Sequence, residues 1–590
     1  MTVDVRLPVW IAASLVLCLV LGLGVARRVT NLRPAFCGVT DEFSEFMPGL
    51  RLHALPLANI HADIRSNFFK SLAYSPHGFG DSVFYYLASG VLHGLGLSIS
   101  DRHLWLASAA TNGLLAAVCC WFAIAVGRSV GMAYVATVLI ALSSLYVYTS
   151  QTTFGRITFV PLVQVLSLCL AAMVHRRPGW IARLALALTV LFIELSDGFY
   201  FGPVVLAFLF LLRPGSLRDR LTGAFRDPTC WWTAGAIVAG LGIDFGLGAL
   251  AAAHDTTLTL FGYVRTRAGY GGVLTVGQLL TLWMQAINQY LPIAGVVLVV
   301  PAWLIAWRYA WSEPVAGALA VWLSIASAGV IRYYASSTGQ HIPGVGPLTG
   351  YPLALPSYLI VAWACGRGFK ANTGALARSA ALVGLAAAAA PQAWQLAAQR
   401  YGPNLQVQGI QYLEGIDRCV AVKAASVYVR EQAIPSATVF HLTNEMALGV
   451  YGEFYYGLSY VGNNHTGERN RIVDFGGESM GRRATPEQWA AAYGVPHFTY
   501  YVEFPPAGDA FTTDAVIRLE RSGARAALEI RDRDRLIGRV WRFGSGDRQV
   551  IQVAEVNQRW DRVGHLPQLF QQSLAGTAYH FGAVWPTPAP

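Results

Sequence analysis

Long apolar segments recur through the first 400 residues of this chain, and they restrict its fold more than any other feature. Each is close to the ~20 residues that a helix needs to cross a bilayer. Composition agrees, because 54% of the 590 residues are hydrophobic and only 13% are charged, against about 25% charged in soluble domains. The sequence predicts a polytopic α-helical membrane protein with eleven transmembrane helices, near residues 8–26, 104–126, 131–149, 158–175, 181–196, 199–213, 231–252, 290–308, 314–331, 351–366 and 379–396.

The distribution of charge predicts the orientation of these spans. The first 400 residues contain 25 Lys+Arg and 14 Asp+Glu, whereas the remainder contains 18 and 19. With the N-terminus in the cytoplasm, cytoplasmic loops receive most of the arginines, and the short outer loops keep four: Arg156, Arg265, Arg267 and Arg332. This is the positive-inside pattern, so the net charge of +10 needs no nucleic-acid partner. Residues 27–103 and the C-terminal region then lie outside the cytoplasmic (inner) membrane.

Two segments leave alternatives open. Residues 8–26 read as a retained anchor, although a signal peptide is the alternative. The stretch GDSVFYYLASGVLHGLGLSIS in the first outer loop reads as a helix on the membrane surface. Were it a further span, every later loop would change sides and the arginine bias would be lost.

From about residue 399 the pattern becomes that of a mixed α/β extracytoplasmic domain, so we expect a transmembrane domain over 1–398 and a second domain over 399–590. Helices are predicted in IDRCVAVKAASVYVREQ and TPEQWAAAYGV, and strands in PSATVFHL and HFTYYVEF. Alternation in AVIRLE, AALEIRDRDRLIGRVWRF and QVIQVAEV predicts antiparallel strands.

Neither cysteine nor histidine indicates a metal site. The eight cysteines show no zinc spacing, and His53, His61, His77 and His341 fit no standard pattern. Two cysteines, Cys37 and Cys419, are predicted on the same outer side, where a disulfide could persist; the pairing stays open. No structural metal is predicted, no cofactor is indicated, and whether a divalent ion assists stays open.

Three acids stand in CGVTDEFSEF, directly after the first span: Asp41, Glu42 and Glu45. They read either as a solvated first turn of a helix or as a carboxylate that takes a proton from an incoming hydroxyl group. Acids within spans are costly and usually functional. Glu194, Asp197 and Asp244 are such candidates, with hydration at a helix end or pairing to a polar neighbour as the alternative.

The order of these pieces resembles the GT-C glycosyltransferases, notably the bacterial branch with the lipid A aminoarabinose transferases and relatives of the protein O-mannosyltransferases. A first span is followed by an outer loop with an Asp-Glu pair and then by SPHGFGDSVFYYLASGVLHGLGLSISDRHLWLASAATNGLLAAVCCWFAIAVGRSVG. TFGRITFVPLVQVLSLCLAAM and RYYASSTGQHIPGVGPLTGYPLALPSYLIVAWA resemble later parts of that family. The resemblance covers roughly residues 8–370 and implies a GT-C fold.

The resemblance implies transfer of a sugar from a polyprenyl-phosphate carrier to an acceptor outside the membrane. Asp41 matches the general base, and Glu42 stands where the family often keeps a second acid. The chain departs from the family at Arg156-Ile157-Thr158, where many members have an Asp shortly after the Arg. The second acidic role is therefore unassigned, and a divalent ion has no support in the sequence.

A departing phosphate needs cations or amide donors, so the outer arginines are candidates to bind it: Arg265, Arg267, Arg332 and Arg156. The alternative is that these arginines are interfacial anchors whose side chains extend to the lipid headgroups. Candidates for the sugar pocket are Tyr263, Tyr270, Tyr333, Tyr334, Tyr351, Asp197 and His341, with an interfacial aromatic belt as the alternative for the tyrosines. The acceptor is a lipid, a glycan or a protein. Rival readings are a transporter or flippase of lipid-linked sugars and a non-catalytic scaffold.

Overall fold

The structure is a computed structural model. It describes residues 101–143, 145–146, 155–196, 201–254, 274–292, 294–336, 351–369, 373–397, 409–432, 439–442, 485–488, 498–504, 510–544 and 546–563, together with residues 87, 91 and 95. The chain divides into two compact units, one that includes Leu106–Ile410 and one that includes Gln411–Pro590.

The first unit is entirely helical in the residues described. Its helices are α1 (Asp101–Trp121), which continues as a π-helical turn (Phe122–Val126), α2 (Val130–Leu142), α3 (Gly155–Arg176), α4 (Trp180–Glu194), α5 (Gly202–Leu211), α6 (Leu217–Arg226), α7 (Pro228–His254), α8 (Val276–Tyr290), α9 (Gly295–Tyr309), α10 (Pro314–Ser336), α11 (Ala354–Gly368) and α12 (Ala375–Ala397). Every predicted span from residue 104 onwards is thus helical over much of its length, whereas 8–26 lies outside the described residues.

The protein is an integral membrane protein, but the count of eleven spans stays a prediction. By length and hydropathy, two described helices qualify outright as spans, over Phe159–Arg176 and Pro314–Arg332. A third would be formed by α8 and α9 together, which meet at a bend of 100°. Shorter apolar helices occupy Ala110–Val126, Val130–Leu142 and Gly202–Leu211.

Close helix packing in this unit depends on small residues. Helices α2 and α11 are antiparallel neighbours, and near one end Gly131 faces Gly366. A Cβ on Gly366 would lie 2.5 Å from the backbone nitrogen of Met132, a distance that only glycine permits. The backbones of α2 and α11 therefore approach each other closely, as is typical of membrane helices that pack through small residues.

The sequence predicts a connection without a helix between the spans 231–252 and 290–308, and this was wrong because residues 276–290 form helix α8. A capping box begins it: Thr275 Oγ1 accepts from the Gln278 backbone N–H, and Gln278 Oε1 accepts from the Thr275 N–H. The helix carries Gln and Asn among its apolar residues, so its hydropathy falls below that of a span. Pro292 lies in the connection before α9. Because proline has no backbone N–H, it cannot donate the hydrogen bond that would continue helix α8.

The second unit is a mixed α/β domain. Its elements are α13 (Gly409–Glu431), β1 (Val439–Leu442), β2 (Tyr500–Glu503), α14 (Ala510–Arg521), β3 (Arg525–Asp532), β4 (Arg535–Arg542), β5 (Gln549–Gln552) and α15 (Val556–Val563). The sheet has the order β1-β2-β4-β3-β5, with antiparallel β2/β4 and β3/β4 pairs and parallel β1/β2 and β3/β5 pairs. One face packs on α13, where a Cβ on Gly538 would lie 3.0 Å from that of Ala421.

Two predictions in this unit were wrong. AVIRLE is part of helix α14, since Ala515 and Leu519 recur at helical spacing and are both buried beside Trp541. QVIQ is a strand, but it pairs parallel to β3, because the chain passes from β4 to the other edge of β3 and forms no hairpin with β4. The predicted helix in IDRCVAVKAASVYVREQ and the β3–β4 hairpin are confirmed.

Candidate functional site

Buried polar side chains gather at one end of the helical unit. The Tyr358 hydroxyl donates to the Tyr290 carbonyl oxygen at 2.8 Å, so the 2.9 Å contact with Ser143 Oγ has the serine as donor. Ser143 Oγ in turn accepts from the Tyr146 backbone N–H at 3.3 Å, and Asn112 Nδ2 donates to the Tyr146 carbonyl oxygen at 3.0 Å. We call these five residues the polar cluster. All five are buried.

Helix ends position the polar cluster. Helix α2 stops at Ser143, whose N–H still bonds to Ile140, and α8 stops at Tyr290, two residues before Pro292. A helix end leaves backbone groups that need other partners, and Tyr358, in the second turn of α11, supplies one. The cluster therefore joins four chain segments that the breaks after α2 and α8 bring together.

Further polar groups lie near this end of the unit. Trp283 Nε1 donates to Ser327 Oγ at 3.0 Å, which links α8 to α10. Ser357, next to Tyr358, and Asn112 are both buried. Among the described residues, Ser357 Oγ and Asn112 Oδ1 have no hydrogen-bond partner. Buried polar groups are normally paired, so this end of the unit holds unused hydrogen-bonding capacity.

The described members of the predicted site lie at the same end. Arg332 is on α10, roughly 7.5 Å along the helix axis beyond Ser327, and its side chain is exposed. Tyr333 and Tyr334 follow it on α10. Tyr351 is buried and opens a short 3₁₀ turn that packs on α10 and α11. Arg156 is the second residue of α3. The last residue of α3, Arg176, contacts Ala125 in the π-helical turn that follows α1.

The remaining predicted site residues lie outside the described part of the chain, and their roles stay predictions: Asp41, Glu42, Asp197, Tyr263, Arg265, Arg267, Tyr270 and His341. Cys37 also lies outside it. No group of three His, Cys, Asp or Glu side chains within the described ranges is arranged to hold a metal ion.

The opposite end of the helical unit is rich in arginines. Arg176 Nη2 donates to the Ala125 carbonyl at 3.2 Å, and Arg183 Nε donates to Thr229 Oγ1 at 3.3 Å. Arg213 pairs with Asp227. Although burial alone would raise it, hydrogen bonds from Thr229 and Arg213 hold the pKa of Asp227 below its ordinary value, so this acid is ionised at neutral pH.

A second ion pair at this end closes the α9–α10 connection. Arg367, at the end of α11, pairs with Glu313 and stacks 3.8 Å above the Tyr309 ring centroid. Glu313 also accepts from Trp363 Nε1 at 3.1 Å. The helical unit is thus polarised, with charged residues paired at one end and neutral polar groups buried at the other.

Glu194 is an acid buried between helices α4, α5 and α7, with 5% of its surface exposed. Its Oε1 accepts from the Gly202 backbone N–H at 2.8 Å, and Oε2 has no partner among the described residues. Two glycines make the space: a Cβ on Gly202 would lie 2.5 Å from Oε1, and one on Gly240 would lie 2.6 Å from the Glu194 Cβ. This burial contradicts the alternative that Glu194 is hydrated at a helix end.

Sequence reasoning missed the polar cluster, because its members stand singly at the ends of apolar runs. The sequence signal was a polar or tyrosine residue directly after an apolar run, as in SSLYVY after α2 and INQYLP at the end of α8. A tyrosine or serine at such a place is indistinguishable from an interfacial residue until the tertiary contact is known.

Tyr358→Phe should destabilise the helical unit, because it leaves the Tyr290 carbonyl and the Ser143 hydroxyl without this partner. A buried polar group left unpaired costs about 1–3 kcal/mol. The measurement is thermal unfolding of the purified protein in detergent. Tyr134→Phe, the same change at a side chain that is 55% exposed, is the control. Equal unfolding temperatures for the two variants would mean that the hydrogen bonds contribute nothing.

No protein-family model and no curated protein matches this sequence. Among solved structures, the chain is similar to ArnT from Cupriavidus metallidurans bound to undecaprenyl phosphate, with a TM-score of 0.52 and 15% identity over 89% of this chain and 97% of that one. The apo state of the same protein gives 0.51 and 14% over 91% and 98%. An oligosaccharyltransferase of Archaeoglobus fulgidus tethered to an acceptor peptide gives 0.46 and 14% over 84% and 69%. The match to ArnT confirms the GT-C fold that the sequence resemblance implied.

Proposed function

We propose that this protein is a membrane glycosyltransferase that moves a sugar from a polyprenyl-phosphate carrier to a lipid, glycan or protein acceptor. The observation that carries the proposal is the correspondence of fold, along nearly the whole of both chains, with a transferase whose structure holds undecaprenyl phosphate.

The polarity of the helical unit supports an orientation. Under the positive-inside rule the arginine-rich end faces the cytoplasm, so the end with the polar cluster faces outwards. Arg332, Tyr333 and Tyr334 then belong to the outer end of α10, and the buried Tyr351 packs beside that helix. The predicted first outer loop, with Asp41, is expected on the same side. The C-terminal domain predicted over 399–590 is likewise expected outside the cytoplasmic membrane.

The chemistry follows from one base and a set of cations. Asp41 takes the proton of the acceptor hydroxyl, whose oxygen attacks the anomeric carbon, while the bond from that carbon to the carrier phosphate breaks. The phosphate leaves with the electron pair and is already anionic, so it needs no general acid. Its charge is stabilised by Arg332 and, in the same role, by Arg156, Arg265 and Arg267. Attack opposite the leaving group predicts inversion.

In this scheme Glu42 assists Asp41, and Tyr263, Tyr270, Tyr333, Tyr334, Tyr351, Asp197 and His341 line the sugar pocket. Tyr351 is the best supported of these, because it is held in a turn between two helices of the outer end. A tyrosine has a hydroxyl group and an aromatic face, both of which suit a sugar.

The test is mass spectrometry of lipid that copurifies with the protein and of added polyprenyl-phospho-sugar after incubation with membranes. We expect a polyprenyl phosphate to copurify and the added donor to lose its sugar in the presence of acceptor. A flippase would bind the same lipid and return it with its headgroup intact, so an intact headgroup after prolonged incubation contradicts the proposal.

A further inference from the structure

Helix α6 has the reverse of the polarity expected for a helix in water. Its apolar side chains Leu217, Leu221 and Phe225 recur every four residues and are 55%, 45% and 67% exposed. Its central arginine, Arg220, is buried, with 8% exposed. A stripe of this kind at the edge of a membrane bundle is typical of a helix that lies in the plane of the interface.

The stripe cannot turn inwards, because α6 is fixed on its other side. Arg220 donates to three carbonyl oxygens: Nη1 to Leu211 at 3.2 Å, Nε to Gly215 at 3.1 Å and Nη2 to Trp311 at 3.0 Å. These contacts tie α6 to the end of α5 and to the α9–α10 connection.

The first turn of α6 is capped as well. Ser216 Oγ accepts from the Asp219 N–H, and Asp219 accepts from the Ser216 N–H at 3.0 Å. The exposure of the stripe is therefore built into the fold and does not depend on a loose loop.

The stripe is continuous with the apolar surface of a long membrane helix. Trp231 on α7 donates through Nε1 to the Phe225 carbonyl at 2.8 Å, and the two rings are 6.3 Å apart. Trp231 is 58% exposed, and Val238, two turns further along α7, is 68% exposed. A tryptophan at such a junction is the residue expected at the boundary between lipid tails and headgroups.

Charge distinguishes a lipid surface from other partners. Arg218 and Arg226 are exposed on α6, at the arginine-rich end of the helical unit. The one acid of the helix, Asp219, is engaged by Ser216, and the next, Asp227, pairs with Arg213. Free positive charge beside an apolar stripe complements acidic phospholipid headgroups.

We propose that α6 is an interfacial anchor that inserts Leu217, Leu221 and Phe225 into the leaflet at the arginine-rich end, where Arg218 and Arg226 bind acidic phospholipid. This contact is independent of the transferase proposal. It holds the ends of α5 and α7 at a fixed depth in the bilayer.

The test uses the full-length protein with Phe225 replaced by the photocrosslinker benzoylphenylalanine, reconstituted in vesicles of phosphatidylcholine and phosphatidylglycerol in equal amounts. After irradiation we expect adducts with phospholipid in the intact mass spectrum. The matched control is the same replacement at Phe543, which is 41% exposed in the sheet unit and should give no lipid adduct. Failure of Phe225 to crosslink to lipid, or crosslinking to protein in native membranes, would overturn the proposal.

The acidic-lipid part is tested with Arg218→Gln/Arg226→Gln in the same photocrosslinking background. Each arginine near an anionic surface contributes about a fivefold preference, so the phosphatidylglycerol adduct should dominate with both arginines present and approach parity without them. Arg521→Gln/Arg525→Gln, at exposed positions of the sheet unit, is the control and should keep the preference. An unchanged lipid ratio in the α6 variant would show that these arginines bind no headgroup.

Discussion

Asp41→Asn should lower the rate of sugar transfer by about two to four orders of magnitude, which is the usual contribution of general-base catalysis. Asn has nearly the same shape as Asp, but it cannot take a proton from the acceptor hydroxyl. Binding of the carrier should survive, because the cations proposed to hold its phosphate are unchanged. The measurement is the initial rate at which a polyprenyl-phospho-sugar is converted to free polyprenyl phosphate.

The controls for this prediction come from the same loop. Glu45→Gln should transfer at nearly the normal rate, since Glu45 is expected to be solvated, and Glu42→Gln should give an intermediate rate if Glu42 assists the base. Copurification of polyprenyl phosphate with the Asp41→Asn protein would show that the site is still assembled. Normal turnover by Asp41→Asn would remove Asp41 from the mechanism while leaving the GT-C fold untouched.

What the sequence predicted well is what hydropathy and short-range pattern determine. Apolar runs of the right length located the helices of the first unit, and alternation located β3 and β4 around their tight turn. Helix α8 was not predicted, because its apolar residues are mixed with Gln and Asn and its hydropathy is too low for a membrane span. AVIRLE was misassigned because a short apolar run fits a helix as well as a strand.

The contacts that define the candidate site needed the fold. Ser143, Tyr290 and Tyr358 come from three distant stretches, and nothing local to any of them indicates the others. Glu194 shows the same limit: an acid in an apolar run was visible, but its burial depends on glycines in two other helices. The side of the membrane on which each arginine lies stays a prediction from the sequence, because it rests on the charge of whole loops and not on a tertiary contact.

Gly240→Ala should destabilise the helical unit by about 1–3 kcal/mol, the typical cost of overfilling a packed interior. The new Cβ would lie 2.6 Å from the Glu194 Cβ, so helices α4 and α7 would have to separate. Separation would also weaken the hydrogen bond from the Gly202 N–H to Glu194. The readout is the unfolding temperature of the purified protein, together with its yield in membranes.

Two glycines of the same helix make the matched control. An added Cβ at Gly235 or Gly242 would meet nothing within 4 Å, and Gly→Ala inside a helix otherwise stabilises by roughly 0.5–1 kcal/mol. The sign of the effect should therefore reverse along α7: Gly235→Ala and Gly242→Ala unfold at the normal temperature or above it, and Gly240→Ala below it. Three variants that behave alike would mean that Glu194 is not packed against Gly240, and the account of this acid as a buried group would fail with it.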